Sequence, residues 1–177
     1  RRGSLAQLPV IMRAARDAGI SRINFDLIFA IPGQTLADWR DDLAQALSWQ
    51  PSHLSAYALT LEEGTALAQS LQNNLYDDDF VAFWDTSDEL LGQQGLRRYE
   101  ISNFARPGDE CRHNQRIWHG ASYLGCGPSA TSFDGQDRWT NPAHFQQWLD
   151  GHPPEVDRID ADARAAEILV FGMPGVT

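Results

Sequence analysis

Residues 23–29 read Ile-Asn-Phe-Asp-Leu-Ile-Phe. Ile23, Phe25, Leu27 and Phe29 alternate with residues that are themselves partly apolar, the pattern of a strand buried in a parallel sheet. The flanking sequence fits a βαβ layer. Upstream, residues 4–18 place Leu5, Leu8, Ile11, Met12 and Ala15 on one helical face, and Gly19 follows as a stop. Downstream, Pro32-Gly33 ends the strand, and Thr35 is an N-cap for a helix running to about Trp49, with Leu36, Trp39, Leu43, Ala46 and Leu47 turned inward. Pro51 breaks that helix, and His-Leu-Ser-Ala-Tyr-Ala-Leu-Thr-Leu, residues 53–61, is the next strand. Helix, strand, helix, strand with short connections predicts an α/β fold. Asp26 and Thr60 are expected at strand ends on the carboxyl edge of the sheet or barrel, where such folds keep their sites.

From Glu62 the pattern changes. Residues 62–74 read as a loop and a partial helix. Residues 77–95 read as an amphipathic helix with Asp77, Asp78 and Asp79 in its first turn, where the dipole favours acids. Residues 96–108 read as a strand leading to a turn. Residues 137–151 read as a short strand, a Pro-initiated helix and a glycine stop, and residues 160–171 as a last helix.

The chain has 177 residues, enough for one domain or one domain with an appendage. Its 24 acids face 14 bases, all arginine, for a net charge of −10. That argues against a uniformly basic nucleic-acid face, so no nucleic-acid partner is expected. No apolar run approaches the about 20 residues that span a bilayer. A transmembrane segment is therefore not expected, and peripheral membrane association is left open. The charged, amphipathic start lacks the apolar core of a secretory signal. Cys111 and Cys126 read as reduced thiols, which points to a cytoplasmic protein. The first residue is not Met and lies inside a helical pattern, so a piece of a longer protein is expected.

Several residues could carry chemistry. Asp26, an acid at the end of an apolar strand, either accepts hydrogen bonds from a polar ligand or caps the backbone of the next turn. Gly-Cys-Gly-Pro-Ser-Ala-Thr-Ser-Phe, residues 125–133, either lets a backbone approach a ligand closely or forms a tight turn packed on the sheet. It is not a nucleophile elbow, because Pro128 precedes Ser129 and no glycine follows at the required place. His-Asn-Gln-Arg-Ile-Trp, residues 113–118, offers an imidazole that can ligate iron, although a single histidine is more often a satisfied structural one. No second Cys-His pair stands at zinc spacing. A triad of Ser129, His113 and Asp26 can be written, but no local signature supports it.

Four segments follow one another in a recognisable order: Asp-Leu-Ile-Phe…Pro-Gly-Gln-Thr at 26–35, residues 53–65, residues 99–114, and Tyr-Leu-Gly-Cys-Gly-Pro-Ser-Ala-Thr-Ser at 123–132. Together they resemble the radical-SAM, oxygen-independent coproporphyrinogen III oxidase-like family. They are closest to its heme-chaperone branch, the HemW-type proteins, and match the C-terminal part only. The resemblance implies the last part of a partial (β/α) radical-SAM barrel over residues 1–65. It implies the end of the barrel and a smaller α+β domain over residues 66–177. It also implies S-adenosylmethionine on the open iron of a [4Fe–4S] cluster held by a CxxxCxxC loop.

That loop is absent here. Cys111 and Cys126 are separated by fourteen residues, so the cluster ligands are expected outside this chain, and the chain alone is not expected to be catalytic. Carried over residue by residue, the resemblance puts Asp26, Thr60 and Thr131 against S-adenosylmethionine. It puts His113, Asn114 and Trp118 against heme, with His113 on the iron. Ala30 and Ile31 stand where Gly and Leu are usual, which reads as a mild change. Ile117 replaces the tyrosine of HNxxYW, and SATS replaces SAHS.

Three functions stay open. The favoured one is part of a heme chaperone that binds heme or porphyrin and passes heme to client proteins. The second is an oxidase that decarboxylates coproporphyrinogen III, an oxidoreductase of the coproporphyrinogen dehydrogenase type. The third is a structural remnant without ligand.

Overall fold

The computed structural model describes residues 5–61, 65–70 and 80–172. The chain forms two compact units, Arg1–Glu110 and Cys111–Thr177.

In the first unit a 3-10 turn, Leu5–Gln7, leads into helix α1, Leu8–Asp17. Gly19 closes the helix at φ 80°, and the amides of Ala18 and Ile20 donate back to Ala14 and Ala15. Met12 is buried, but Ile11 is 58% exposed. The inward stripe is therefore the narrow i, i+4, i+7 set of Leu8, Met12 and Ala15. Strand β1, Asn24–Phe29, helix α2, Leu36–Ser48, and strand β2, His53–Ala58, form the expected βαβ unit. β1 and β2 pair in parallel, with Asn24 opposite His53 and Phe29 opposite Ala58.

Thr35 caps α2 as expected. Its hydroxyl accepts from the Asp38 amide at 3.1 Å, and its own amide donates to the Asp38 carboxylate at 2.8 Å. Trp39, Leu43 and Ala46 are buried, and Leu36 and Leu47 pack beside them.

Helix α3, Ala66–Ser70, and helix α4, Phe80–Gln93, follow. The acidic first turn expected at 77–79 lies outside the described residues. The stretch expected to be one strand holds two short ones, β3, Arg97–Arg98, and β4, Asn103–Ala105. β4 runs antiparallel to both β2 and β3, giving the sheet order β1-β2-β4-β3.

Strand alternation sends Phe25, Leu27 and Phe29 to one face, with Leu54, Ala56 and Phe104. Phe29 centres the core there, 5.4 Å from the Trp39 ring, 5.8 Å from Phe83 and 4.9 Å from Trp84. The indole of Trp39 donates to Ser87 Oγ at 3.0 Å, and that hydroxyl donates to the Phe83 carbonyl at 2.8 Å, so the buried polar atoms are satisfied.

The second unit contains helix α5, Arg112–Trp118, strand β5, Thr131–Phe133, strand β6, Asp137–Thr140, helix α6, Phe145–Leu149, strand β7, Glu155–Arg158, and helix α7, Ala161–Gly172. The three strands form an antiparallel sheet in the order β5-β6-β7. Asp134 Oδ1 accepts from the amides of Gln136 and Asp137 at 2.8 and 2.9 Å, which turns β5 into β6. α6 is not initiated by Pro142. His144 is its N-cap, because the Pro142 carbonyl instead accepts from the Ser129 amide and holds that residue outside the helix. No helix among the described residues is long and apolar enough to cross a membrane.

The position after β1 is less permissive than its sequence suggests. Ala30 has φ 57°, the left-handed region where only glycine is unstrained, so the exchange at a position where the family usually has Gly is not mild. Ala30→Gly is expected to raise stability by about 0.5 kcal/mol, the strain relieved less the extra freedom of the unfolded chain. Phe29→Ala is expected to cost about 3–5 kcal/mol in urea denaturation. Ile28→Ala, on the opposite face and 48% exposed, should cost less than about 1 kcal/mol. Equal losses at 28 and 29 would mean that the strand faces are misassigned.

Candidate functional site

The sheet face opposite the aromatic core is polar up to Ile28 and Tyr57. It carries Asn24 and Asp26 from β1, His53 and Ser55 from β2, and Asn103 from β4, with Asp26 beside Ser55 and Ser55 beside Asn103. Asp26 is the third of six residues in β1 and is exposed. It is therefore not an acid at the buried end of a strand. Its bond is to the Asn24 side chain, whose Nδ2 donates at 2.7 Å, and among the described residues no backbone amide of the following turn donates to it.

The bonds around it fix one another. A carboxylate only accepts, so the Asn24 amide nitrogen faces Asp26 and the Asn24 oxygen faces the other way. That oxygen lies 2.7 Å from His53 Nδ1, which must then carry the proton. His53 Nε2 is left as an acceptor, 2.7 Å from the Tyr99 hydroxyl. A second arm begins at the same amide, whose Nδ2 reaches Ser55 Oγ at 3.5 Å. Ser55 Oγ donates to Asn103 Oδ1 at 2.8 Å, and Asn103 Nδ2 donates to the Glu100 carboxylate. His53, Ser55 and Asn103 are all buried. Burial holds the His53 imidazole below its ordinary pKa of 6.5, more than Asp26, Glu100 and Glu110 together raise it, so the ring is neutral at physiological pH.

Sequence reasoning found Asp26 and missed Asn24, His53, Ser55 and Asn103. A signal was present. In Asn-Phe-Asp-Leu and His-Leu-Ser-Ala every second residue is polar, which in paired strands makes a polar face. Thr60 is exposed, two residues beyond the end of β2.

In the second unit, helical phase divides the 113–118 motif. His113 lines a cavity of about 560 Å³ with Arg112, Arg116, Ile117 and Tyr123. Trp118 instead lines a cavity of about 400 Å³ that shares only Ile117 and Tyr123 with the first. Residues 113 and 118 are five apart, about 140° around a helix, whereas 112 and 116, or 113 and 117, fall on one side. His113 is thus grouped with two guanidiniums rather than with Trp118, and Asn114 lines neither cavity.

Thr131 lies on β5, and its hydroxyl is 3.0 Å from that of Thr140 across the pair. The glycine-rich segment is a packed turn. A side chain at Gly125 would collide with the Thr131 backbone, and the Gly125 amide donates to Ser132 Oγ at 2.9 Å. Cys111 and Cys126 form no disulfide. Among the described residues no three His, Cys, Asp or Glu lie close enough together to hold a metal ion. Two cysteines in 177 residues do not fit a [4Fe–4S] cluster.

No family model matches the chain. It is 39% identical over 163 residues to the heme chaperone HemW of Mycobacterium tuberculosis, covering 86% of this chain and 42% of the relative. It is 34% identical over 174 residues to HemW of Synechocystis, covering 92% and 42%. Its fold matches that of coproporphyrinogen III oxidase, HemN, a radical-SAM enzyme from Escherichia coli. The TM-score is 0.80 at 21% identity, over 98% of this chain and 45% of that one. The α/β architecture is therefore that of the C-terminal part of the radical-SAM oxidase fold. The chain spans less than half the length of the proteins it matches.

The His53 relay has a pH signature. Its folded pKa is depressed, so on acidification the unfolded chain takes up the proton first. The stability it contributes is complete above about 6.5 and is lost as pH falls from there through the folded value. Urea midpoints measured from pH 8 to pH 5 should fall less steeply in His53→Gln than in the native chain. Parallel curves would remove His53 from the relay.

Proposed function

Because this chain belongs to the radical-SAM coproporphyrinogen III oxidase-like family, on its heme-chaperone branch, we propose that it is part of a heme chaperone and carries a heme-binding face on α5. The observation that supports this reading is the cavity shared by His113, Arg112 and Arg116. A neutral imidazole can ligate heme iron, and guanidinium forks match the propionate carboxylates. Ile117 and Tyr123 supply apolar surface for the macrocycle. Trp118, on the other side of the helix, then supports the site from behind, and Asn114 contributes no lining.

S-adenosylmethionine is proposed to meet the polar sheet face, whose residues fit it. Asp26 would accept hydrogen bonds from hydroxyl groups, and the Asn24 and His53 bonds hold its carboxylate in one orientation. Thr60 is kept as a contact of the same strand pair. Thr131 belongs to the second unit, where its hydroxyl meets that of Thr140, and it is not assigned to this face. The cofactor would supply radical chemistry together with a cluster held outside these residues, and this chain's own part would be to bind and orient. Delivery of heme to client proteins in the cytoplasm completes the proposal.

Hemin titration of the chain, followed at the Soret band, tests it. Saturable binding is expected, with His113→Ala losing the ligated spectrum and Arg112→Ala/Arg116→Ala weakening affinity by about tenfold or more. Metal-free coproporphyrin III serves as the control. Its binding should depend on the arginines and not on His113. Hemin binding insensitive to all three substitutions would overturn the assignment.

A further inference from the structure

The 400 Å³ cavity of the Cys111–Thr177 unit has a use that the heme reading does not absorb. Its walls include Trp118, Tyr123 and Phe133, and its charged groups are Arg138, Arg164 and Glu167. Arg138 is already matched. Its Nη2 donates to both Glu167 oxygens, at 2.9 and 2.7 Å, and its Nη1 lies 3.8 Å from Asp157. Arg164 is in a different state. Its guanidinium sits 5.2 Å from the Phe133 ring centroid, and its Nη1 is buried with no hydrogen-bond partner. Among the described residues it is the one buried side-chain polar atom left in that condition.

An arginine cannot shed its proton, so the Arg164 guanidinium that lines the cavity calls for an acceptor there. Glu167 and Asp157 both serve Arg138, so among the described residues Arg164 is the lining cation left without a carboxylate, and a single anionic group would balance it. A guanidinium edge matches a carboxylate, and three aromatic walls suit a flat body. The volume falls in the range of small-molecule sites, about 300–1,000 Å³.

We propose that this cavity binds a planar aromatic ligand carrying one carboxylate, with Arg164 as the partner of the carboxylate. The site shares Ile117 and Tyr123 with the His113 cavity but holds different charged groups, and the proposal does not rest on the heme reading.

Calorimetric titration of the chain with 2-naphthoate tests it, with the neutral isostere 2-naphthamide in parallel. The carboxylate should bind saturably, and the amide about tenfold more weakly or worse, because it cannot offer a charge-assisted acceptor. Arg164→Met, which keeps the aliphatic stem, should erase that preference, and Arg164→Lys should retain part of it. If Arg164→Met fails to fold in a thermal melt, the acid and amide comparison on the native chain still decides. Equal binding of the two probes would overturn the proposal. So would the absence of saturation up to millimolar probe, the result expected if water alone fills the cavity. His113→Ala should leave naphthoate binding unchanged, and a parallel loss there would refute a separate site.

Discussion

The parallel register of β1 on β2 is the constraint on which the first unit depends. With Asn24 opposite His53, Leu27 and Phe29 pack with α2 and α4 and Phe25 shares their face, while Asn24, Asp26 and Ile28 face the other way. A slip of one residue would exchange the two sets. It would put Asp26 into the aromatic cluster of Phe29, Trp39, Phe83 and Trp84, and carry Phe29 onto the polar face. The hydrophobic core therefore does more than stabilise. By fixing the register it also places Asn24 within 2.7 Å of His53, so the polar relay and the core follow from one alignment.

Among the described residues the second unit has no comparable core. Phe133 and Ser132 are its fully or nearly buried residues, and its elements are joined largely through polar links. Arg138 on β6 reaches Glu167 on α7, and the Glu167 hydrogen bond raises the Arg138 pKa, so the guanidinium stays charged. Thr131 and Thr140 tie β5 to β6, and Asn141 Nδ2 donates to the Gly127 carbonyl at 2.9 Å. Held by edges rather than by a filled centre, the unit leaves room for two cavities around α5.

How much of this was legible depended on whether the deciding contacts were local. α2 was readable because its cap, Thr35 with Asp38, and its stripe, Trp39, Leu43 and Ala46, lie within a dozen residues. β7, Glu-Val-Asp-Arg, was not, because all four residues are exposed and leave no apolar alternation to detect. α5 was hidden by its own motif. Residues 113–118 were read as one chemical group, whereas the helix turns His113 and Trp118 to different cavities. Asp26 was found as a residue, but its setting was not. The partners that define it sit at 24, 53, 55, 99 and 103, and only folding brings them together. The Arg164 cavity was beyond reach for the same reason, since α5, the following loop, both hairpin strands and α7 each contribute to it.

The two polar assemblies differ in a way that bears on function. On the sheet face every amide is oriented by a carboxylate at the end of its arm, Asp26 for Asn24 and Glu100 for Asn103, so no orientation remains free. Such a network is complete by itself and serves to hold one exposed group, the Asp26 carboxylate, in place. Around Arg164 the network is incomplete, because Glu167 pairs with Arg138 and no acceptor reaches Arg164 Nη1. A satisfied network positions a residue, and an unsatisfied buried donor leaves a demand that another molecule can meet. The chain thus pairs a preorganised polar surface in one unit with an open cationic pocket in the other. Both follow from which side-chain valences the fold closes and which it leaves unfilled.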